Sequence, residues 1–189
     1  MTVLDIIRPN NPTLRRKARP VANFDDPELQ TLIEDMIETM RAANGVGLAA
    51  PQVARSLRVA VVETLPETDE EGNEIEGTRD LYVLVNPEIS WQSRETVDGM
   101  EACLSIPGYV GEVSRHKAIR VRARDRQGKK VSLRLYDWDA RIFQHEIDHL
   151  DGVLYIDRLT HPDNIWTEEE YQEQFGRDEE EEAAPTAVE

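Results

Sequence analysis

Hydrophobic side chains recur at three- and four-residue intervals between Phe24 and Arg41, which predicts an amphipathic α-helix. The apolar residues on its predicted buried face are Leu29, Leu32, Ile33, Met36, Ile37 and Met40. The preceding sequence DDPE supplies a capping residue and a proline suited to the first helical turn, and Asn44-Gly45 supplies a stop signal. The hydrophobic core is therefore expected to include an N-terminal helix.

The middle of the chain predicts short β-strands, because it contains short runs with strand-forming residues that are bounded by turn signals. Four strands are predicted, at residues 57–63, 81–89, 118–125 and 129–137. The last two alternate apolar with charged positions and meet at Gln127-Gly128, which is typical of a half-exposed antiparallel hairpin. Between the first two, the acidic stretch 64–80 is expected to form a surface loop.

Two glycine-containing segments fit neither the helical nor the strand pattern. The sequence GVGLAAPQV at 45–53 is too apolar for a plain surface loop. The sequence GMEACLSIPGYVG at 99–111 combines an acid, a cysteine, a serine and a proline with several glycines. Such a composition is poor material for an ordinary strand and suits the wall of a shaped site.

The sequence ARIFQHEIDHL at 140–150 predicts a second helix, capped by Asp137 or Asp139 and stopped at Asp151-Gly152. A third helix is predicted from about residue 162 to residue 175, followed by a disordered end. The order of a helix, several strands and a helix favours an α+β fold with mainly antiparallel sheets.

The net charge of −16 is concentrated at the C-terminus, because residues 168–189 alone contribute −9. Direct binding to nucleic acid or to an anionic membrane needs clustered Lys and Arg, so neither is an expected partner. No apolar run reaches the ~18 residues of a transmembrane helix, and the N-terminus lacks the order of a secretory signal. With one cysteine, Cys103, the chain can form no internal disulfide, and the expected location is the cytoplasm.

The sequence HEIDH places His145 and His149 four residues apart on one face of the predicted helix, close enough to hold one metal ion. Glu146 lies beside them as a candidate proton carrier. An open tetrahedral site needs a third protein ligand. Cys103 is one candidate, since a thiolate binds Fe²⁺ or Zn²⁺, although a lone cysteine is more often a small buried apolar residue. Glu169 is the other, at the spacing of His₂Glu zinc peptidases.

Three blocks occur in the order in which peptide deformylases have them: GVGLAAPQ at 45–52, EACLS at 101–105 and HEIDH at 145–149. The chain therefore resembles the peptide deformylase family. The resemblance implies antiparallel sheets packed around a central HExxH-bearing helix, with an N-terminal and a C-terminal helix. It places a catalytic domain at residues 1–165 and an acidic C-terminal helix and tail, with a disordered end, at 166–189.

The implied activity is a metal-dependent hydrolase that removes the formyl group, as formate, from N-formylmethionyl nascent polypeptides. The resemblance assigns one divalent metal ion to Cys103, His145 and His149, with Fe²⁺ as the native ion and Zn²⁺ or Ni²⁺ as alternative occupants. Glu146 would take the proton of the attacking water and pass it to the departing amine.

Further roles also follow from the resemblance. The side-chain amide of Gln52 and the backbone N–H of Leu104 would stabilise the developing oxyanion. Glu101 would pair with Arg115 and brace the segment that carries the cysteine. The residues expected to bind substrate are Gly45, Val46, Gly47, Trp138 and Ile142.

Ala102 and Ala54 depart from the family, which usually has glycine at both positions. Ala102 and the acidic tail leave open a catalytically silent metal-binding module as an alternative, beside the zinc peptidase that would use Glu169. Some family members approach the ribosome through a basic C-terminal helix, whereas this chain ends acidic. Only transient proximity to the ribosome is therefore expected.

Overall fold

The computed structural model describes residues 2–182 except residues 67, 70, 72 and 76. Over these residues the chain forms three α-helices and eight β-strands, and the strands pair antiparallel. The helices are α1 (Pro27–Ala42), α2 (Asp137–Asp151) and α3 (Glu168–Glu182). The strands are β1 (Gly47–Ala49), β2 (Val59–Glu63), β3 (Leu81–Gln92), β4 (Thr96–Cys103), β5 (Ile106–His116), β6 (Ala118–Arg124), β7 (Lys130–Tyr136) and β8 (Ile165–Thr167). The predicted α+β class with antiparallel sheets is confirmed.

The strands form a five-stranded sheet of order β1-β2-β3-β6-β7 and a three-stranded sheet of order β4-β5-β8. The predicted hairpin is confirmed, since β6 and β7 pair from Ala118–Tyr136 to Arg124–Lys130. The strand predicted at 81–89 is β3, which continues to Gln92. The described residues of the predicted loop 64–80 connect β2 to β3 and are mainly exposed.

Helix α1 begins at Pro27, and the cap and first-turn proline predicted from DDPE are confirmed. The Asp26 carboxylate accepts a 2.9 Å hydrogen bond from the Glu28 N–H, and Pro27 occupies the first helical position. The predicted apolar face packs on the five-stranded sheet in one core with Leu48, Val59, Val61 and Val85.

Helix α2 carries the HEIDH residues and packs against both sheets, including β1 and β2 on one side and β5 on the other. Its side chains Ile142, Phe143 and Ile147 share a core with the inner face of the five-stranded sheet. The helix ends as predicted at Gly152, whose φ of 78° is favourable for glycine alone.

The prediction that Asp137 or Asp139 caps α2 is wrong, because Tyr136 occupies the N-cap position. Strand β7 passes directly into the helix through Asp137, which has a φ of 47° and donates its N–H to the Lys117 carbonyl at 2.7 Å. No loop separates strand from helix, so both aspartates lie inside the first turn.

The expectation that residues 99–111 avoid ordinary strand structure is wrong. They form parts of β4 and β5, which pair along their length. Pro107 and Gly108 mark a bulge instead: Ala102 pairs with Val110, the next pair is Cys103 with Ile106, and residues 107–109 have no partner in β4. The bulge leaves Cys103 at the end of β4, beside the turn formed by residues 104–105.

The third helix starts later than predicted, at Glu168, and extends to Glu182. Thr167 and Glu170 form a reciprocal cap in which each side chain accepts from the other residue's N–H, at 3.1 and 2.8 Å. The residues just before it form β8, which pairs with β5. The tail end predicted to be disordered includes residues 183–189, which lie outside the described residues. No helix in the described part of the chain is long and apolar enough to cross a membrane.

Replacement of Gly152 by alanine is expected to lower the free energy of unfolding by about 3 kcal/mol. An added Cβ would lie 2.9 Å from the Arg15 carbonyl carbon, and the φ of 78° adds strain. Gly108→Ala is the matched control, because its φ is 79° with no atom within 4 Å of the added Cβ, and it should cost only about 1 kcal/mol. Denaturant unfolding measures both, and equal losses would contradict the steric account.

Candidate metal centre

Three candidate ligand groups converge where β4 ends against α2. One ligand atom each from Cys103, His145 and His149 lies within 4.8 Å of the other two, and Cys103 Sγ is 3.3 Å from His149 Nε2. Among the described residues, this is the one group of three His, Cys, Asp or Glu side chains placed to hold an ion. Glu169 is not in the group and lies exposed in the first turn of α3.

The chemistry of these three residues fits a divalent metal ion. A thiolate with two imidazoles is a donor set for borderline ions such as Zn²⁺ and Fe²⁺. Cys103 and His149 are buried, and burial lowers the pKa of His149 well below its usual value. The neutral imidazole favoured in this way is the form that coordinates a metal. The third ligand predicted from sequence, Cys103, thus lies beside both histidines.

A buried carboxylate fixes the orientation of the other histidine. Glu101 Oε2 lies 2.9 Å from His145 Nδ1, so a neutral His145 that donates this proton keeps its Nε2 lone pair for an ion. Arg115 donates two hydrogen bonds to Glu101 at 2.8 and 2.9 Å, as the predicted pairing requires. Arg141 Nη1 donates a further one at 2.9 Å. Glu101 thereby links β4, β5 and α2.

Electrostatics keep this carboxylate charged despite its burial. Burial alone would raise the pKa of Glu101, but hydrogen bonds from Arg115 and His145 hold it well below the usual glutamate range. Arg115 also pairs with Asp148, which in turn accepts two hydrogen bonds from Arg158. Alternating charges therefore run from the surface to the metal centre.

Glu146 lies in the opposite electrostatic situation. Burial raises its pKa to about 7, and its Oε2 atom is buried with no hydrogen-bond partner among the described residues. The carboxylate packs against β1, where a Cβ added to Gly47 would lie 2.3 Å from Glu146 Oε1. Glycine is therefore required at position 47 so that Glu146 can occupy its place. This requirement is separate from the substrate contact that was predicted for Gly47.

Gln52 is a buried, positioned amide. Its Oε1 accepts a 2.8 Å hydrogen bond from the Ala49 N–H, which orients Nε2 toward Cys103 Sγ at 3.6 Å and Ser105 Oγ at 3.4 Å. Leu104 lies in the turn after the cysteine, and its carbonyl accepts a 3.1 Å hydrogen bond from Arg8. Both candidate oxyanion donors thus lie next to the metal centre.

A cavity of about 520 Å³ opens over the centre. Its walls include Cys103, His145 and Glu146. The predicted substrate-binding residues all line it: Gly45, Val46, Gly47, Trp138 and Ile142. The fold therefore brings predicted residues from three separate segments, 45–52, 101–104 and 138–146, to one cavity.

Comparison with known proteins agrees with this geometry. The family model described as Polypeptide deformylase matches residues 3–164. The chain belongs to the polypeptide deformylase family. Peptide deformylase 2 of Nostoc sp. is 50% identical over 172 residues, which cover 90% of this chain and 94% of that protein.

Two solved structures share the fold. The crystal structure of peptide deformylase from Thermus thermophilus matches with a TM-score of 0.74 at 42% identity, covering 93% of this chain and 94% of that one. A Met-Ala-Ser-bound class I type b peptide deformylase from Acinetobacter baumannii matches with a TM-score of 0.74 at 36% identity, covering 84% of this chain and 99% of that one. As a family member, the chain is a metal-dependent hydrolase that removes the formyl group from N-formylmethionine of nascent chains.

Sequence reasoning missed three polar residues that hold the deformylase site together. Arg141 donates to Glu101 and to the carbonyls of Val97, Gly99 and Val113. The sequence could have indicated Arg141, because an arginine four residues before His145 lies on the same face of the helix. Asp148 and Ser105 gave no such signal, since their partners come from distant parts of the chain.

The two departures from family glycines have different structural consequences. Ala54 adopts the left-handed conformation with a φ of 59°, which glycine would adopt without strain. Ala102 is exposed in the cavity wall, so its methyl group occupies cleft space. Neither side chain is a member of the Cys-His-His group.

Glu101→Gln is expected to lower the free energy of unfolding by about 3 kcal/mol, because it leaves two buried guanidinium groups without their shared carboxylate. The measurement is urea unfolding of chelator-treated protein, so that metal loss does not contribute. Glu74→Gln is the control, since it removes only an exposed pair with Arg79 and should cause no measurable change. Equal stability of the two variants would contradict a structural role for Glu101.

Proposed function

We propose that the Cys103, His145 and His149 centre is where this chain releases formate from the N-formylmethionyl end of nascent polypeptides, with Glu146 as the acid–base group. The observation that carries the proposal is the convergence of three ligand types and one buried, unpartnered carboxylate on a single cavity. The reaction is hydrolysis: a water oxygen bonds to the formyl carbon, the carbon–nitrogen bond breaks, and a proton goes to the departing amine.

The proposed cofactor is one divalent ion, with Fe²⁺ as the native metal and Zn²⁺ or Ni²⁺ as alternative occupants. A single thiolate with two imidazoles suits all three ions. When bound, such an ion supplies Lewis acidity, which brings the pKa of water toward ~7 and polarises a carbonyl. The Cys103 thiolate would offset one of the two positive charges of the ion in the buried centre.

The proton path is assigned to Glu146 Oε2. This atom is buried and has no hydrogen-bond partner among the described residues, so its hydrogen-bonding capacity is unused, and Glu146 lines the cavity. A carboxyl with a pKa of about 7 can both accept and donate a proton at neutral pH with only a small free-energy cost. Contact with Gly47 holds the carboxylate near the backbone of β1.

The oxyanion that forms at the formyl oxygen needs donors, which we assign to Gln52 Nε2 and the Leu104 N–H. The 2.8 Å hydrogen bond from Ala49 to Gln52 Oε1 fixes the amide before substrate arrives, so little reorganisation accompanies the reaction. The carbonyl of Leu104 is held by Arg8, which steadies the same peptide segment.

The substrate backbone is proposed to add to β1, which is an edge strand of the five-stranded sheet. Gly45, Val46 and Gly47 line the cavity at this edge. The methionine side chain would enter the apolar part of the cavity formed with Trp138 and Ile142. The Met-Ala-Ser in the Acinetobacter baumannii relative is a peptide of the kind that deformylation would leave.

We propose residues 1–165 as the catalytic unit, with α2 as its central element. Because β8 pairs with β5, we extend the proposed unit to Thr167. The described residues of the acidic remainder contribute none of the members of the Cys-His-His group. Because its substrates are nascent chains, we propose that the enzyme works in the cytoplasm with transient proximity to the ribosome.

Metal analysis tests the ligand assignment. Cys103→Ala should lose the bound ion, because two imidazoles remain, whereas Glu169→Ala should keep one ion per chain. Elemental analysis after anaerobic loading with Fe²⁺ and desalting provides the measurement. The reverse pattern would replace this assignment with the His₂Glu zinc peptidase.

Glu146→Gln is expected to lower kcat for formate release from formyl-Met-Ala-Ser by about 10²–10⁴-fold while metal content stays unchanged, because the amide cannot carry the proton. Glu169→Gln is the matched control and should retain full activity. Full activity of the Glu146 variant, or no turnover by the Fe²⁺-loaded parent protein, would contradict the proposal. The latter result would favour a catalytically silent metal-binding module.

A further inference from the structure

Cations predominate on the side of β6 and β7 that faces away from α2, in a chain with a net charge of −16; the exposed acid Glu88 lies opposite Arg122 in the β3–β6 register. Five cations project from this surface, which we call the basic sheet face: Arg120, Arg122, Arg124, Lys130 and Arg134. The arginines of β6 alternate with buried Ile119, Val121 and Ala123, so they point away from the core. Pairing of Arg120 with Arg134 and of Arg124 with Lys130 places the cations of both strands on the same side.

Two exposed aromatic side chains lie on the same face. Trp91 of β3 pairs with Arg120, and Tyr136 follows Arg134 by two positions along β7. Trp91 is 53% exposed and Tyr136 is 58% exposed. Both line one small cavity together with the two arginines. Guanidinium groups and aromatic rings are therefore neighbours on this part of the sheet.

Most of these cations have no partner within the chain. Among the described residues, Arg120, Arg122, Lys130 and Arg134 form no ion pair. Arg124 differs, because it lies over the Phe24 ring at 5.8 Å and donates to a backbone carbonyl. Four cations thus remain for an external anion.

The basic sheet face is separate from the catalytic cavity. The opposite side of β6 and β7 packs on α2, in a core that contains Val121, Leu135 and Phe143. No residue of the face lines the cavity over the metal centre. A ligand on this face would therefore leave the deformylation site open.

We propose that the basic sheet face binds RNA, with guanidinium groups on the phosphates and with Trp91 and Tyr136 stacked on unpaired bases. Exposed aromatics among cations on an open sheet are the combination that recognises single-stranded RNA. The three arginines of β6 span about 13 Å, the length of about four stacked nucleotides at ~3.4 Å each. Charge alone would also suit an anionic membrane, but the rings beside Arg120 and Arg134 favour bases.

The acidic total charge does not prevent this contact. The expectation of no nucleic-acid binding rested on the sum over the chain, of which residues 168–189 contribute −9. Helix α3 packs on β5 and β8 of the other sheet. At ~0.15 M ionic strength, charges beyond about 8 Å are largely screened, so a bound phosphate responds mainly to the local cations.

The test is fluorescence anisotropy of a labelled single-stranded RNA of mixed sequence, titrated with the full-length, metal-loaded protein. Contact with four phosphates predicts that the dissociation constant rises about 50-fold between about 50 and 200 mM salt. Arg120→Gln/Arg134→Gln should reduce this salt effect to about 7-fold by removing two contacts. Trp91→Ala should weaken binding about 10-fold through loss of one stacking contact.

Arg16→Gln/Arg55→Gln and Tyr109→Ala are the matched controls, since they remove exposed cations and an exposed ring elsewhere. They should bind RNA like the parent, and every variant should release formate from formyl-Met-Ala-Ser at the parent rate. Absence of RNA binding, or equal weakening by face and control variants, would overturn the proposal. Binding to phosphatidylserine vesicles without RNA binding would also overturn it and assign the face to membranes.

Discussion

The site depends on one buried carboxylate. Glu101 accepts hydrogen bonds from Arg115, from Arg141 and from His145 Nδ1, so a single side chain ties β4 and β5 to α2. A carboxylate removed from water is costly unless its lone pairs are used, and here both oxygens are. The hydrogen bond to Glu101 also holds His145 in one orientation. The interactions that stabilise the buried carboxylate therefore also orient the histidine that is proposed as a metal ligand.

The remaining chemistry follows from how closely α2 approaches its neighbours. The bulge after Ala102 ends β4 at Cys103 and delivers its sulfur to the imidazole of His149. Gly47 lets β1 approach Glu146, whose burial raises its pKa to about 7. Two carboxylates on neighbouring elements thus have opposite properties: one stays charged as a support, and the other remains close to its neutral point, as the proposed proton transfer requires.

Sequence patterns predicted those structural features that depend on residues close together in the chain. The α1 face, the β6–β7 hairpin, the Gly152 stop and the HEIDH spacing depend on neighbours within a few residues, so the sequence identifies them. The β4–β5 pairing was missed because Pro107 and Gly108 belong to a bulge that only the partner strand reveals. Arg141, Asp148 and the three-residue β8 depend on residues far away in sequence, which no periodicity records. The net charge also concealed the basic sheet face, because the total charge of a chain does not say where its charged residues lie.

The central claim is that one sulfur and two imidazole nitrogens share a metal ion. X-ray absorption spectroscopy of the Zn²⁺-loaded protein at the metal edge tests it most directly. The account predicts one sulfur scatterer at about 2.3 Å and two imidazole nitrogens at about 2.0–2.1 Å. A first coordination sphere of nitrogen and oxygen without sulfur would contradict it.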